Sequence, residues 1–341
     1  MLPNKLPANW IDFSQFKEKF QKVPVEEFPN KVKQKIEIPY VTVQIITYNH
    51  ASFIKDALEG VIMQKTNFPF EIILGDDESQ DGTREICIEY AKNYPEQIRL
   101  MLHKRENNIK ILGKPCLIFQ YLYNNFSARG KYIAVCSGDD YWTDTLQLQK
   151  QFDLLEVNSE VNRTHCANRI MITGTTRNHN IKPEKLLEEG ETSTWMYVNF
   201  FQKIPLEYTE VIAEDTFLDV YLAAFGKRKG TPDVEPVVIR WHDNNMYMGG
   251  EPIELQKQRA NTNEKCLTAF RIFKSEPDFD IILIARLLDK NRKLQFVYKR
   301  NKVQVAWFIF ADIIRHGLLA NLFKHLFIKF FKNKAIKKDF H

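Results

Sequence analysis

Two adjacent carboxylates, Asp139 and Asp140, sit in the stretch CSGDDYW (Cys136–Trp142). They directly follow KYIAVC, a β-branched and aromatic run of the kind that forms a buried strand. Neighbouring acids repel each other and lose solvation on burial, so such a pair belongs in water, beside cations or on a metal. Oxygen ligation of this kind suits Mg²⁺ or Mn²⁺, which keep several waters and bind phosphate oxygens beside one or two carboxylates. A solvated turn or a helix cap accounts for an acidic pair more often. A second acidic cluster, GDDESQDG (Gly75–Gly82), and an aromatic in TYNH (Thr47–His50) raise the stakes, because their place in the chain repeats that of the first.

The elements that must position these residues follow from periodicity. VTVQII from Val41 predicts a strand, and Ser52 caps a helix carrying Phe53, Ala57, Leu58, Val61 and Ile62 on one face. Phe70–Leu74 predicts the second strand. A helix over Thr83–Tyr94, a strand over Ile98–His103, a helix over Pro115–Phe126 and KYIAVC as the fourth strand complete the series. Strands alternating with helices imply an α/β fold with a mostly parallel, doubly wound sheet and right-handed crossovers. In such a sheet every loop after a strand emerges at one edge, where ligands bind. Thr47–His50, Asp76–Asp81 and Ser137–Trp142 therefore share one rim.

Exclusion narrows the ligand. No GxGxxG follows the first strand and no GxxxxGK[ST] occurs, so neither a dinucleotide fingerprint nor a P-loop is present. Asp77, Ser79, Asp81 and Gly82 imitate half of a calcium loop, but its twelfth position is Ile88 rather than Glu. No clustered His/Cys set suggests zinc. A stacking aromatic, acids able to accept from a base or ribose, and a hard-cation site together suit a nucleotide diphosphate. Lys104 and Arg105, in a polar loop, could reach phosphate, though solvation is the commoner fate of such residues.

At these residues the chain resembles the family 2 glycosyltransferases, whose GT-A fold is a Rossmann-like sheet flanked by helices that binds nucleotide-diphospho-sugars. ITYNH resembles the family's first-strand end, which implies that Thr47, Tyr48 and Asn49 line the nucleotide and that Tyr48 stacks on the base. GDDESQDGT resembles the DDxSxDGT loop and so implies Asp76 and Asp77 at base and ribose. SGDDYWTD stands where the family has its DxD or ExD metal motif, implying Asp139 as the leading metal ligand with Asp140 beside it; the motif's first acid is Ser137 here. ETSTWMYV is similar to the strand that lines the sugar pocket. Ala213-Glu214-Asp215 opens an apolar helix; acids there commonly serve the helix dipole, whereas the resemblance implies Asp215 as general base, with Glu214 as its substitute. Arg240-Trp241-His242 is similar to the YRxH ending, and implies a contact of His242 with the diphosphate. The implied reaction is an inverting transfer from a nucleotide-diphospho-sugar to a hydroxyl of a glycan or lipid-linked acceptor, as in bacterial surface polysaccharide synthesis. A sugar nucleotidyltransferase would carry a glycine- and arginine-rich loop after the first strand, which ITYNHASF lacks; a non-catalytic nucleotide-sugar or glycan-binding protein stays open through Ser137.

The totals set the frame. The chain has 341 residues and a formal charge of +5, which makes no case for nucleic acid. Five scattered cysteines without a CxxC suit a reducing compartment, and neither a signal peptide nor an apolar run of transmembrane length is apparent; the expectation is a cytoplasmic protein. Residues 1–37 form an extension whose Trp10, Phe13, Phe16 and Phe20 pack on the main domain or on a second subunit of a homodimer. Residues 38–250 form the catalytic domain. Residues 251–341 turn to helical periodicity and end in Leu318–Phe331, an apolar face with Lys324, Lys329 and Lys332 opposite. Such a helix can lie on the inner face of the plasma membrane or pack on protein.

Overall fold

The computed structural model describes residues 10–111, 114–173, 186–187, 191–210 and 214–242. The chain divides into two compact units, 1–210 with 225–250, and 211–224 with 251–341. The helices expected beyond residue 250, the basic amphipathic one included, lie outside the described residues.

The first unit is built on an eight-stranded sheet in the order Lys227–Gly230, Val161–His165, Trp195–Val198, Tyr132–Ser137, Val41–Thr47, Phe70–Asp76, Ile98–Leu102 and Glu26–Glu27. Its centre is parallel: Tyr132–Ser137, Val41–Thr47, Phe70–Asp76 and Ile98–Leu102 run side by side. The flanks are mixed, because Trp195–Val198 and Glu26–Glu27 enter antiparallel. Central strands buried on both faces read as near-continuous apolar runs, and every residue of Phe70–Asp76 and Ile98–Leu102 is buried.

Alternation along Val41–Thr47 sorts the two faces. Val41, Val43 and Ile45 join the main core with Ile54, Ala57, Leu58 and Val61 of helix Ile54–Ile62. Thr42 and Gln44 point the other way, where Gln44 Nε2 donates to the Tyr121 carbonyl of helix Ile118–Ser127 at 3.0 Å. This helix starts three residues later than expected, since Lys114–Cys116 pairs with Ile109–Ile111 in a hairpin. Ser52 does not cap the first helix: Phe53 holds the N-cap position without a side-chain bond.

The strand order decides where a ligand can bind. From Val41–Thr47 the chain steps outward to Phe70–Asp76 and Ile98–Leu102, then returns to lay Tyr132–Ser137 on the other side of Val41–Thr47. The order reverses between those two strands, and the crevice at such a reversal is where open α/β sheets take ligands. Close packing seals it: a Cβ on Gly138 would stand 2.7 Å from the Thr47 side chain, and one on Gly60 only 2.9 Å from the Trp142 backbone N and O.

The amino-terminal segment is part of this body. Trp10–Ile11 pairs with Ile204–Pro205. Helix Phe13–Phe20 begins with a capping box between Asp12 and Gln15, and its Phe16 is fully buried between Phe119 and Phe126, with centroids 5.4 Å from each. Glu26–Glu27 then covers the outer edge of Ile98–Leu102. Among the described residues no helix is long and apolar enough to cross a membrane.

Candidate functional site

The loops after the first two strands are laced into one surface. Asn49 adopts a left-handed backbone (φ 54°), a conformation Asn tolerates better than most residues. Its N–H donates to Ser79 Oγ and its Oδ1 accepts from Gln80 N–H, both at 2.9 Å. His50 N–H reaches Thr83 Oγ1 at 2.7 Å, and Ala51 N–H reaches Asp81 Oδ2 at 3.0 Å. Ser79 and Asp81, which imitate calcium ligands in sequence, are thus spent with Thr83 on holding the rim together.

Asp76 and Asp77 are both fully buried but have different partners. Asp76 Oδ2 takes a 2.5 Å bond from Arg84 Nε, whose Nη2 also donates to the His103 carbonyl at 2.8 Å. Asp77 Oδ2 accepts from Asn108 Nδ2 at 2.8 Å and pairs with Arg105 Nη1 at 2.9 Å. Burial pushes the Asp77 carboxyl up to about 6, against the downward pull of Asn108 and Arg105. Arg105 is not solvated as the sequence suggested: its guanidinium lies 4.0 Å from the centre of the Tyr48 ring, so one planar cation joins Tyr48 to Asp77. The sequence offered Arg105 only as a possible phosphate contact, because folding alone brings its loop back across Tyr48. This corner offers a flat aromatic, a flat cation and a carboxylate, the groups that recognise a nucleobase.

The second half of the site lies at the reversal. Asp139 Oδ2 stands 3.2 Å from His242 Nε2 and 4.0 Å from His50 Nε2. The donor atoms of these three side chains all fall within 4.8 Å of one another. Ligands ~2.1 Å from a shared divalent cation stand roughly 3 to 4 Å apart; both separations from Asp139 fall in that range, so a small inward shift of the imidazoles would let the three side chains share such an ion. Burial would raise the Asp139 carboxyl, but the hydrogen bond to His242 and the charges of both imidazoles hold it below the usual carboxylate range. Burial lowers the His50 imidazole from its ordinary value, which keeps a ring nitrogen available to a metal. His50 was missed in sequence beyond its membership of the TYNH loop; its position three residues past the strand end was the available signal.

Asp140, expected beside Asp139 on the metal, has both oxygens engaged inside the protein. Oδ1 accepts from the Arg240 backbone N–H at 3.0 Å and Oδ2 from the Ser193 hydroxyl at 2.5 Å. Burial and then the charge of Asp139 raise its carboxyl well above the usual range. Ser193 also lies 3.0 Å from both the N–H and the hydroxyl of Ser137, so the serine standing for the motif's first acid is anchored to the turn before strand Trp195–Val198. Arg240 backs the loop: it donates to the Asp139 carbonyl at 3.2 Å, pairs with Asp56, and stacks 4.4 Å from the Tyr141 ring centre. His242 is delivered by strand Val237–Trp241, which belongs to a separate three-stranded sheet beside Asn168–Ile172. Thr47 and Asn49 flank Tyr48 at the strand end. Glu214 and Asp215 open helix Glu214–Phe225 in the second unit, with Asp215 half-buried in the first turn.

Residues 42–111 match the profile of Glycosyl transferase family 2. The likeness to that family is thus confined to about a fifth of the chain. The match covers the Tyr48, Asp76, Asp77 and Arg105 corner together with His50, and stops short of Asp139. An uncharacterized Mycobacterium tuberculosis protein is 31% identical over 212 residues, 58% of this chain and 59% of its own length; the chain thus spans about three fifths of that relative. The putative teichuronic acid biosynthesis glycosyltransferase TuaG of Bacillus subtilis is 30% identical over 115 residues, 33% of this chain and 42% of TuaG. Among solved structures, the mannosyltransferase PcManGT from Pyrobaculum calidifontis, in complex with GDP-Man and Mn²⁺, superposes with a TM-score of 0.51 at 18% identity, over 94% of this chain and 86% of that one. The described sheet and its flanking helices therefore have the GT-A fold.

Proposed function

We propose that this protein is a metal-dependent, inverting glycosyltransferase that moves a sugar from a nucleotide diphosphate to a hydroxyl of a glycan or lipid-linked acceptor in bacterial surface polysaccharide synthesis. The observation that carries the reading is the placement of His50, Asp139 and His242 at the strand reversal, one loop away from the Tyr48–Arg105–Asp77 corner. One corner recognises a base, and the other holds a cation where the diphosphate would follow. The PcManGT complex, on the same fold, supports a nucleotide-sugar donor with a divalent ion, and the TuaG relationship supports a surface-glycan acceptor.

Asp139, His50 and His242 would hold Mg²⁺ or Mn²⁺, which when bound supplies positive charge to the diphosphate oxygens as the sugar departs. The protein's own groups do the rest. Tyr48 and Arg105 grip the base, and Asp77 accepts from a base or ribose donor. Asp140 and Arg240 keep the Asp139 loop in place from behind. The resemblance assigns the acceptor proton to Asp215, whose carboxylate would remove it as the hydroxyl attacks the anomeric carbon from the face opposite the diphosphate. The basic carboxyl end, for which the sequence implies an amphipathic helix over Leu318–Phe331, supplies the candidate for membrane contact; a cytoplasmic enzyme on the inner membrane face is the setting this reading implies.

Thermal melts against nucleoside diphosphates and their sugars, each with and without Mn²⁺, test the donor site. A ligand at a hundred times its dissociation constant adds about 2.7 kcal/mol, which is visible as a shifted melt. One base should stabilise the protein in a Mn²⁺-dependent manner, and Asp139→Asn should abolish the metal dependence. No shift with any base would overturn the reading. Asp215→Asn should keep the melt shift and lose transfer by 10²-fold or more, the usual weight of a general base; transfer retained would remove Asp215 from that role.

A further inference from the structure

The amino-terminal segment meets the base-recognising corner mainly at the Asn107 side chain. Asn107, only 1% exposed, directs its amide at the backbone of Lys22 and Val23. Its Oδ1 accepts from Lys22 N–H at 2.7 Å and from Val23 N–H at 2.9 Å, and its Nδ2 donates to the Val23 carbonyl at 2.9 Å. Lys22 Nζ adds a bond to the Glu106 carbonyl at 3.0 Å. The carboxamide thus behaves as a short strand partner for residues 22–23, and leaving those buried-side groups unmatched would carry a desolvation cost.

Asn107 closes the single turn Arg105–Asn107, so its neighbours are set by the same backbone. Arg105, two residues before it, stacks on Tyr48 and pairs with Asp77; Asn108, one residue after it, donates to the same Asp77 oxygen. The segment on the far side of the clamp is itself anchored at both ends, by Phe16 in the aromatic core and by Glu26–Glu27 on the sheet edge.

We infer that the amino-terminal segment is a structural arm of the nucleoside pocket and that Asn107 is the positioning residue through which it acts. The clamp fixes the turn that presents Arg105 and Asn108, and so sets affinity for the base and ribose without touching the diphosphate or the metal. The inference rests on the proposed donor site, and the experiment separates the two.

Calorimetric titrations with Mn²⁺ would compare UDP, GDP, ADP, CDP, dTDP and inorganic pyrophosphate on the full chain. Asn107→Ala should weaken whichever nucleoside diphosphate the wild type binds by about tenfold and leave Mn²⁺-pyrophosphate within twofold. Asn107→Asp keeps the acceptor for the Lys22 and Val23 N–H groups but sets an oxygen against the Val23 carbonyl, so it should retain part of the affinity that Asn107→Ala loses; it also serves if the alanine variant does not fold. Arg105→Ala with Asn107→Ala together should cost less than the sum of the two single losses, because the clamp works in part through that side chain. Equal losses for nucleotide and pyrophosphate, additive losses in the double variant, or unchanged nucleotide affinity in Asn107→Ala would each overturn the inference. A wild type that binds none of UDP, GDP, ADP, CDP and dTDP removes the donor-site reading, and this inference with it.

Discussion

Asp77 is a carboxylate held against its own ionisation. Its ordinary value of 3.8 rises to about 6 on burial, so between these limits the folded protein keeps a proton that the unfolded chain releases. Stability therefore falls as pH rises through that window, and at neutral pH the ionised group costs roughly 3 kcal/mol. Asp77→Asn removes the charge and keeps an acceptor for Asn108. Its melting midpoint at pH 7.5 should equal or exceed that of the wild type, the difference should vanish near pH 4, and nucleotide affinity should fall at least tenfold; a variant that melts lower at pH 7.5 would refute the account. The metal corner makes a separate prediction. Two imidazoles and one carboxylate favour Mn²⁺ or Co²⁺ over the oxygen-seeking Ca²⁺, so competition titrations should rank the ions in that order, and His242→Ala should weaken Mn²⁺ at least tenfold while metal-free nucleoside binding stays put. Sequence showed the acids of this site and not their division of labour. Asp76 and Asp77 are equivalent as letters; Arg84 and Arg105, from different turns, give them different partners. Asp139 and Asp140 likewise part ways only because Ser193 and the Arg240 backbone reach one of them.

At the scale of elements, the loops are held by close approach rather than by their own propensity. Gly60 lies in helix Ile54–Ile62, where alanine would ordinarily gain up to about 1 kcal/mol. Here a Cβ would strike the Trp142 backbone at 2.9 Å, and overpacking of this sort costs about 1–3 kcal/mol. The clash outweighs the propensity. Gly60→Ala should lower the melting midpoint and, because Trp142 ends the loop bearing Asp139, weaken Mn²⁺ binding as well; an unchanged Mn²⁺ affinity would show the loop to be independent of the helix. The strands of the parallel centre were legible because apolar runs bounded by Gly and Asp leave few alternatives. Lys114–Cys116 was not, since Pro115 reads as a helix start and only its pairing with Ile109–Ile111 marks it as a strand. Strand Val237–Trp241 was legible as a strand, but its partner Asn168–Ile172 was not, because the intervening sequence carries no periodic code for which sheet it joins.

At the scale of the whole molecule, the strand order gathers the site from distant stretches. Tyr48, Asp77, Asp139 and His242 meet because the chain returns to the inner flank of its first strand. Alternation of strands and helices predicted a common rim, which was enough to place the loops together. It could not predict the antiparallel flanks, which come from residues whose pattern is short and irregular. The edge formed by Glu26–Glu27 has a further consequence. It lies antiparallel along Leu102 and Met101, and just beyond it Phe28 N–H donates to the Leu100 carbonyl at 2.8 Å. A chain begun at residue 38 would leave Ile98–Leu102, apolar but for Arg99, with open amide and carbonyl groups, the template on which foreign strands add. Light scattering at matched concentration should show the shortened chain self-associating where the full chain stays dispersed. Two glutamates at the margin of the sheet thus act as a guard on colloidal behaviour, and sheet-edge pairing between molecules is the hazard they keep out.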